Sequence, residues 1–124
     1  MNKKLLIYHL KDIENYHSII SVCKLMNIEL YEIEDNMIHL KIKDLLNKKV
    51  KKRKNKSLAM PMIIFSGFTS ENIDILLNAL KNGNVPFIPL KASVTATNLN
   101  WSFEQLYRHI FEEYQQVVKK QFKL

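Results

Sequence analysis

Glycine is almost missing from this chain: Gly67 and Gly83 are the two in 124 residues. A Rossmann fingerprint needs three glycines in G-x-G-x-x-G, and a P-loop needs a second glycine directly before its lysine, so neither can be written here. Cysteine is scarcer still. Cys23 stands alone, which excludes an internal disulfide and fits a reducing compartment. No apolar run approaches the roughly 20 residues that span a bilayer. The N-terminal MNKKLLIYHL sets its lysines before an apolar run shorter than a signal-peptide core, and no small-residue cleavage site follows. A cytoplasmic protein without membrane contact is expected.

What is present belongs to a globular protein, with 47% hydrophobic and 25% charged residues. A length of 124 residues fits one domain, 1–124, large enough to bury a core. The formal net charge is +7, but it is unevenly placed. The segment KKVKKRKNK, Lys48 to Lys56, holds seven basic residues and no acid, leaving 12 basic against 12 acidic residues elsewhere. The run has no aromatic residue to stack on bases, so a solvated linker over about 47–60 is expected and nucleic acid is disfavoured. A nucleic-acid-associated protein using 48–56 is the alternative.

Sliding the chain against itself by 57 residues aligns LLIYHL with MIIFSG and ENYHSIISVCKLMNIELYEI with ENIDILLNALKNGNVPFIPL. Tyr16, Ile19, Ile20 and Cys23 fall on Ile73, Leu76, Leu77 and Leu80, the i, i+3, i+4, i+7 pattern of one buried helix face in each half. Each half, about 4–34 and 61–91, therefore reads as strand, helix, strand. Cys23 shares the slot of Leu80 and reads as a small core hydrophobe, not a nucleophile.

The runs near Leu5 to His9 and Met62 to Phe65 are continuously apolar, as central strands covered on both faces should be. IELYEI alternates and VPFIPL carries two prolines, which makes both edge strands. The fold expected is α/β: a small four-stranded parallel sheet of order 2-1-3-4, built from two βαβ repeats with helices on both faces. The alternative is a ferredoxin-like α+β sheet of order 4-1-3-2. MIHLKIKDLLNKK arbitrates, since a helical stripe of Ile38, Ile42, Leu45 and Leu46 would put a helix after every strand. A long C-terminal helix over about 102–120 begins with Ser102 and Gln105 as a capping box and Trp101 and Leu106 as a hydrophobic staple. Gly83 is expected to end the second repeat helix in a left-handed cap.

No catalytic residue, cofactor or metal site is expected. The four histidines are scattered, and His109 with Glu113, at i, i+4, reads as a surface pair. The strand ending in Ser66-Gly67 carries no phosphoacceptor aspartate. Polar groups gather instead at two junctions, FSGFTSEN and PLKASVTATNLNW. In a parallel sheet, ligands favour the crevice outside the strand ends where the order reverses, here between His9 and Ser66-Gly67. Gly67 would allow close backbone approach, Thr69 or Ser70 would cap the next helix, and Lys91 would add a positive charge. Ser93, Thr95, Thr97 and Asn98 would supply donors. The competing reading is that Thr95, Thr97 and Asn98 satisfy only their own backbone.

The same two junctions, PMIIFSGF and VPFIPLKASVTATNLNW, resemble the signature of a bacterial domain-of-unknown-function family, number 3783. Its members pair an FSGF-type strand with a PLK-x-x-x-T-x-T-N-x-x-W ending. Phe65, Ser66, Gly67, Pro89, Leu90, Lys91, Thr95, Thr97, Asn98 and Trp101 all fall in place, over roughly 61–113. Members often have proline where this chain has Ala96. The resemblance implies that Lys91, Thr95, Thr97 and Asn98 act as one unit, and it implies no activity.

The function expected is a non-catalytic module that binds a small anionic ligand or a protein partner through His9, Ser66, Gly67, Lys91, Thr95, Thr97 and Asn98. An enzyme using His9 and Lys91 is a further alternative. A homodimer is expected through the end of the C-terminal helix, where Tyr114, Val117, Val118 and Phe122 would overhang the sheet.

Overall fold

The computed structural model describes residues 2–121. The chain forms two compact units. The first is built from the chain up to Glu34 together with Met60–Val94, and the second from Asp35–Ala59 and the chain from Thr95 on.

The first unit is two βαβ elements side by side: β1 (Lys3–Tyr8), α1 (Tyr16–Leu25) and β2 (Ile28–Ile33), then β3 (Met62–Ser66), α3 (Ser70–Asn82) and β4 (Leu90–Ser93). The sheet order is β2-β1-β3-β4, as expected, with the alternating and proline-bearing segments at the edges. One pairing departs from expectation. β1 with β2 and β3 with β4 are parallel, but β1 with β3 is antiparallel, Lys4 facing Ser66 and Tyr8 facing Met62. The sheet is therefore mixed, with the strand order of the parallel arrangement and the central pairing of the ferredoxin-like one. The cause lies in the connection: β2 ends with Ile33 level with Tyr8, and β3 starts with Met62 level with the same residue. The chain leaves and re-enters at one sheet edge, so β3 must run back.

That reversal also corrects the expected placement of the helices. Right-handed crossovers stepping outward in opposite directions put helices on opposite faces of an all-parallel sheet. With β3 inverted, they put both on one face. Ile19 and Cys23 of α1 and Leu76 and Leu80 of α3 accordingly share a core with Leu5, Ile7, Ile63 and Phe65. On the other face of the strands, Leu6, Tyr8, Met62, Ile64 and Leu90 are just as buried. Each such side chain contributes about 1.5–3 kcal/mol on leaving water. Asn15 Nδ2 ties the two βαβ elements together by donating to the Asn84 carbonyl at 2.8 Å.

Both helices end alike, though not as expected. Asn27 and Asn84 take the left-handed conformation, at φ 56° and 60°, while Gly83 sits at φ −84°. Asn84 N–H bonds the Lys81 carbonyl and Val85 N–H the Leu80 carbonyl, which is a Schellman ending with asparagine in the left-handed seat. Gly83 serves packing instead: a Cβ there would lie 3.1 Å from Ser18 Cβ on α1. The fourth strand is also displaced. Pro86 and Pro89 have no N–H to give a ladder, so β4 begins only at Leu90 and runs through LKAS, not VPFIPL.

The second unit holds α2 (Ile42–Leu46) and α4 (Phe103–Gln121), with 3-10 turns at Asp35–Met37 and Asn98–Asn100. Ile42, Leu45 and Phe103 are fully buried. The helix foreseen in MIHLKIKDLLNKK is real, but it does not make the sheet parallel, because the excursion that contains it returns to its starting edge. α4 begins on backbone supplied by a distant segment. Phe103 N–H donates to the Leu40 carbonyl, Glu104 N–H to the Ile38 carbonyl, and Ile42 N–H to the Trp101 carbonyl, each at 2.9 Å. Ser102 Oγ accepts from Gln105 N–H at 3.1 Å, so the N-terminal donors that a helix leaves open are filled. Burial along α4 stops at Tyr107: Ile110, Phe111, Tyr114 and Val118 are half-buried and Val117 is exposed. Phe122 lies outside the described residues.

Candidate functional site

The antiparallel central pair separates residues that a parallel sheet would have gathered. His9 follows Tyr8, which faces Met62, whereas Ser66 faces Lys4 at the other end of β1. The crevice expected between His9 and Ser66-Gly67 is therefore not formed; the two lie at opposite ends of the adjacent central strands. His9 is exposed, at φ 55°, with its ring stacked on Tyr8 at 3.8 Å. Gly67 does allow close backbone approach, but the visitor is the chain's own N-terminus. A Cβ at Gly67 would lie 2.7 Å from the Asn2 carbonyl oxygen, and its φ of 78° suits glycine in any case.

Two threonines and two asparagines of the polar junctions are used locally. Asn72 N–H donates to Thr69 Oγ1 at 3.1 Å and Thr69 N–H to Asn72 Oδ1 at 3.3 Å, a reciprocal capping box on α3. Thr95 and Asn98 repeat the device: Asn98 N–H donates to Thr95 Oγ1 at 3.0 Å and Thr95 N–H to Asn98 Oδ1 at 2.8 Å. FTSEN and VTATN thus fold the same way, T-x-x-N holding the start of a helical turn. Asn98 is the buried polar residue of the pair, while Thr97 is exposed.

Lys91 behaves differently from its neighbours. It pairs with Ile63 across β3 and β4, so its side chain takes the helix-bearing face and enters an open groove of about 460 Å³. Ile63, Leu77, Leu80, Val85 and Ile88 form the apolar walls, and Asn78, Lys81 and Lys91 are the polar groups of the lining. The Lys91 ammonium donates to the Ile88 carbonyl and sits 4.2 Å from the centroid of the Phe87 ring. Burial pushes this amine below the ordinary lysine range. Phe87 is 80% exposed, an unusual position for a large ring. Sequence reasoning placed Phe87 and Ile88 in a strand. The two prolines around them were the signal that this stretch is a shaped connection instead.

The other chemical candidates resolve simply. Cys23 is 2% exposed, and burial pushes its thiol up to about 11, which suits the core position expected of it. His109 Nε2 lies 3.0 Å from Glu113 Oε1 as an exposed pair, with Trp101 edge-on to the imidazole at 5.4 Å.

Fold and site together define a mixed α/β domain of two βαβ elements whose accessible feature is an apolar groove with lysines at its polar margin. Residues 61–117, from β3 through most of α4, match the model of the family described as Domain of unknown function (DUF3783). No curated protein and no solved structure matches the chain. No helix among the described residues is long and apolar enough to cross a membrane.

Proposed function

We propose that the first unit is a binding module for a small ligand with an apolar body and one anionic head, such as a medium-chain carboxylate, taken up in the groove under Lys91. The observation that carries this reading is the lining: apolar walls, two lysines and an asparagine, with no carboxylate among the lining groups. Ligand sites commonly combine a mostly apolar cleft with a few placed polar groups. An ammonium has three donors, and Lys91 gives one to Ile88, which leaves capacity for an anion at the groove mouth. Lowered solvation strengthens that attraction relative to an open surface.

Thermal shift of the full chain with octanoate and with octanol tests the reading. A ligand that binds only the native state raises the melting midpoint in a concentration-dependent way. Octanoate should raise it more than octanol in the parent, and the advantage should vanish in Lys91→Met. Equal shifts from acid and alcohol would remove the role of the ammonium, and no shift from either would remove the groove as a site for such ligands.

A further inference from the structure

The charge of this protein is segregated by unit. The second unit carries 13 basic against 5 acidic residues and the first 6 against 7, so the whole of the +7 excess sits in the second. Within it, the run Lys48–Lys56 is not a loose tether. From Val50 to Leu58 the backbone makes no helix, turn or bend, and it is fastened at several points. Arg53 N–H donates to the Asn36 carbonyl at 3.1 Å. His39 Nε2 meets the Lys51 carbonyl at 2.8 Å, and Asn55 Nδ2 meets His39 Nδ1 at 2.9 Å. Lys56 pairs with Glu104 at 3.1 Å, and Leu58 is buried at 8% exposure. The histidine thus clamps the run from two sides, donating from Nε2 and accepting at Nδ1. Lys49, Lys51, Arg53 and Lys54 remain exposed on this held backbone.

We propose that this strip is a docking surface for the phosphate backbone of a single-stranded nucleic acid, read without regard to base identity. A flexible basic tail must lose conformational entropy to align its cations on a phosphate chain; here the protein has already ordered the backbone. A row of cations on an unbent chain complements a row of phosphates. The run offers no aromatic for stacking, so recognition is electrostatic. Its one apolar residue, Val50, is half-buried, which leaves no exposed apolar side chain in the run to insert into a lipid surface.

The test is fluorescence anisotropy of the full-length protein with a labelled oligouridylate of about 12 nucleotides, inside the usual range of site sizes, titrated from roughly 50 to 200 mM salt. Four phosphates neutralised on a single strand give a slope of log affinity against log salt near −3, or roughly a 50-fold loss over that range. The variant with Lys49, Lys51 and Lys54 changed to serine should keep the parent's melting midpoint. Its slope should fall to about −0.7, under about a threefold loss. His39→Ala, which releases the clamp, should weaken binding several-fold with the slope unchanged. A flat slope in the parent, or a triple variant that keeps the parent's slope, overturns the proposal. So does stronger binding to phosphatidylglycerol vesicles than to the oligonucleotide at equal salt. Equal affinity of His39→Ala and the parent would overturn the role of the held backbone.

Discussion

The two units reach order by different means. In the first, apolar periodicity does most of the work: Ile19 and Cys23 in α1, and Leu76 and Leu80 in α3, pack on alternate residues of β1 and β3. In the second, segments about sixty residues apart are joined through main-chain groups, Leu40 and Ile38 accepting from the first turn of α4, around a small set of buried side chains headed by Phe103, Ile42 and Leu45. They differ in charge as well, since one unit is close to neutral and the other strongly basic. A helix stripe or an alternating strand declares its partners in its own spacing. A backbone carbonyl that caps a remote helix declares nothing, because every residue has one.

The largest effect that would test this contrast is in the second unit. Phe103→Ala should cost about 4 kcal/mol and Leu76→Ala, in the better-populated core of the first, about 3 kcal/mol. Chemical denaturation of both variants measures the order, and a larger loss for Leu76 would invert the comparison.

Next comes the contrast between the glycines. Gly67→Ala should cost about 2–3 kcal/mol, through left-handed strain and the clash with the Asn2 carbonyl. Gly83→Ala should cost below about 1 kcal/mol, because its φ is ordinary and the half-buried Ser18 side chain can give way. Equal losses would mean that Gly67 is not held where the structure places it.

The two T-x-x-N boxes sharpen the comparison at a smaller scale. Thr69→Val removes an exposed cap, at about 1 kcal/mol. Thr95→Val strips the partner from the N–H of buried Asn98, and should cost nearer 2 kcal/mol. If Thr95→Val is as mild as Thr69→Val, the second box is more hydrated than its burial indicates.

The smallest effect is the pH dependence of Lys91. Its folded pKa lies below the ordinary lysine value because burial disfavours the charged amine. Below the folded value both states are protonated and the fold carries the full penalty. As pH rises from there through the unfolded value, about 10.4, the unfolded state holds the extra proton and the penalty is relieved. The parent should therefore gain on Lys91→Met over that window, and only slightly given the lysine's partial exposure. Denaturation midpoints of both proteins at pH 8 and pH 11 give the sign, and a parent that loses ground would refute the assigned cause.

Strand order, both central strands, most of each helix face and the Ser102 cap of α4 were legible because each rests on local spacing or a local cap; Ile20, expected on the buried face of α1, is instead 45% exposed. The direction of β3 was not, since it depends on where the excursion after Ile33 returns, and no local pattern encodes that. The candidate site was legible only in part. Lys91 was singled out for its charge at a strand end, but its groove is lined by Pro86, Phe87 and Ile88, which read as a strand. Thr95 and Asn98 stood out as polar residues without visible work. Their partners are each other, three residues apart, a spacing that the capping rule covers and that Thr69 and Asn72 already displayed.

The interleaving of the units has a consequence for the order in which the protein is made. The chain crosses from one unit to the other after Glu34, after Ala59 and after Val94, so no single cut frees either unit whole. On the ribosome, at about 5–20 residues per second, the first unit lacks its last strand until Ser93 has emerged. The second waits for Phe103, whose N–H and that of Glu104 complete the carbonyls of Leu40 and Ile38. Residues 35–59, synthesised early, must therefore stay available through the growth of the entire second βαβ element. The seven cations of Lys48–Lys56 stand in that waiting segment beside the apolar Ile38, Ile42 and Leu45, the placement by which like charges flanking an apolar stretch oppose aggregation.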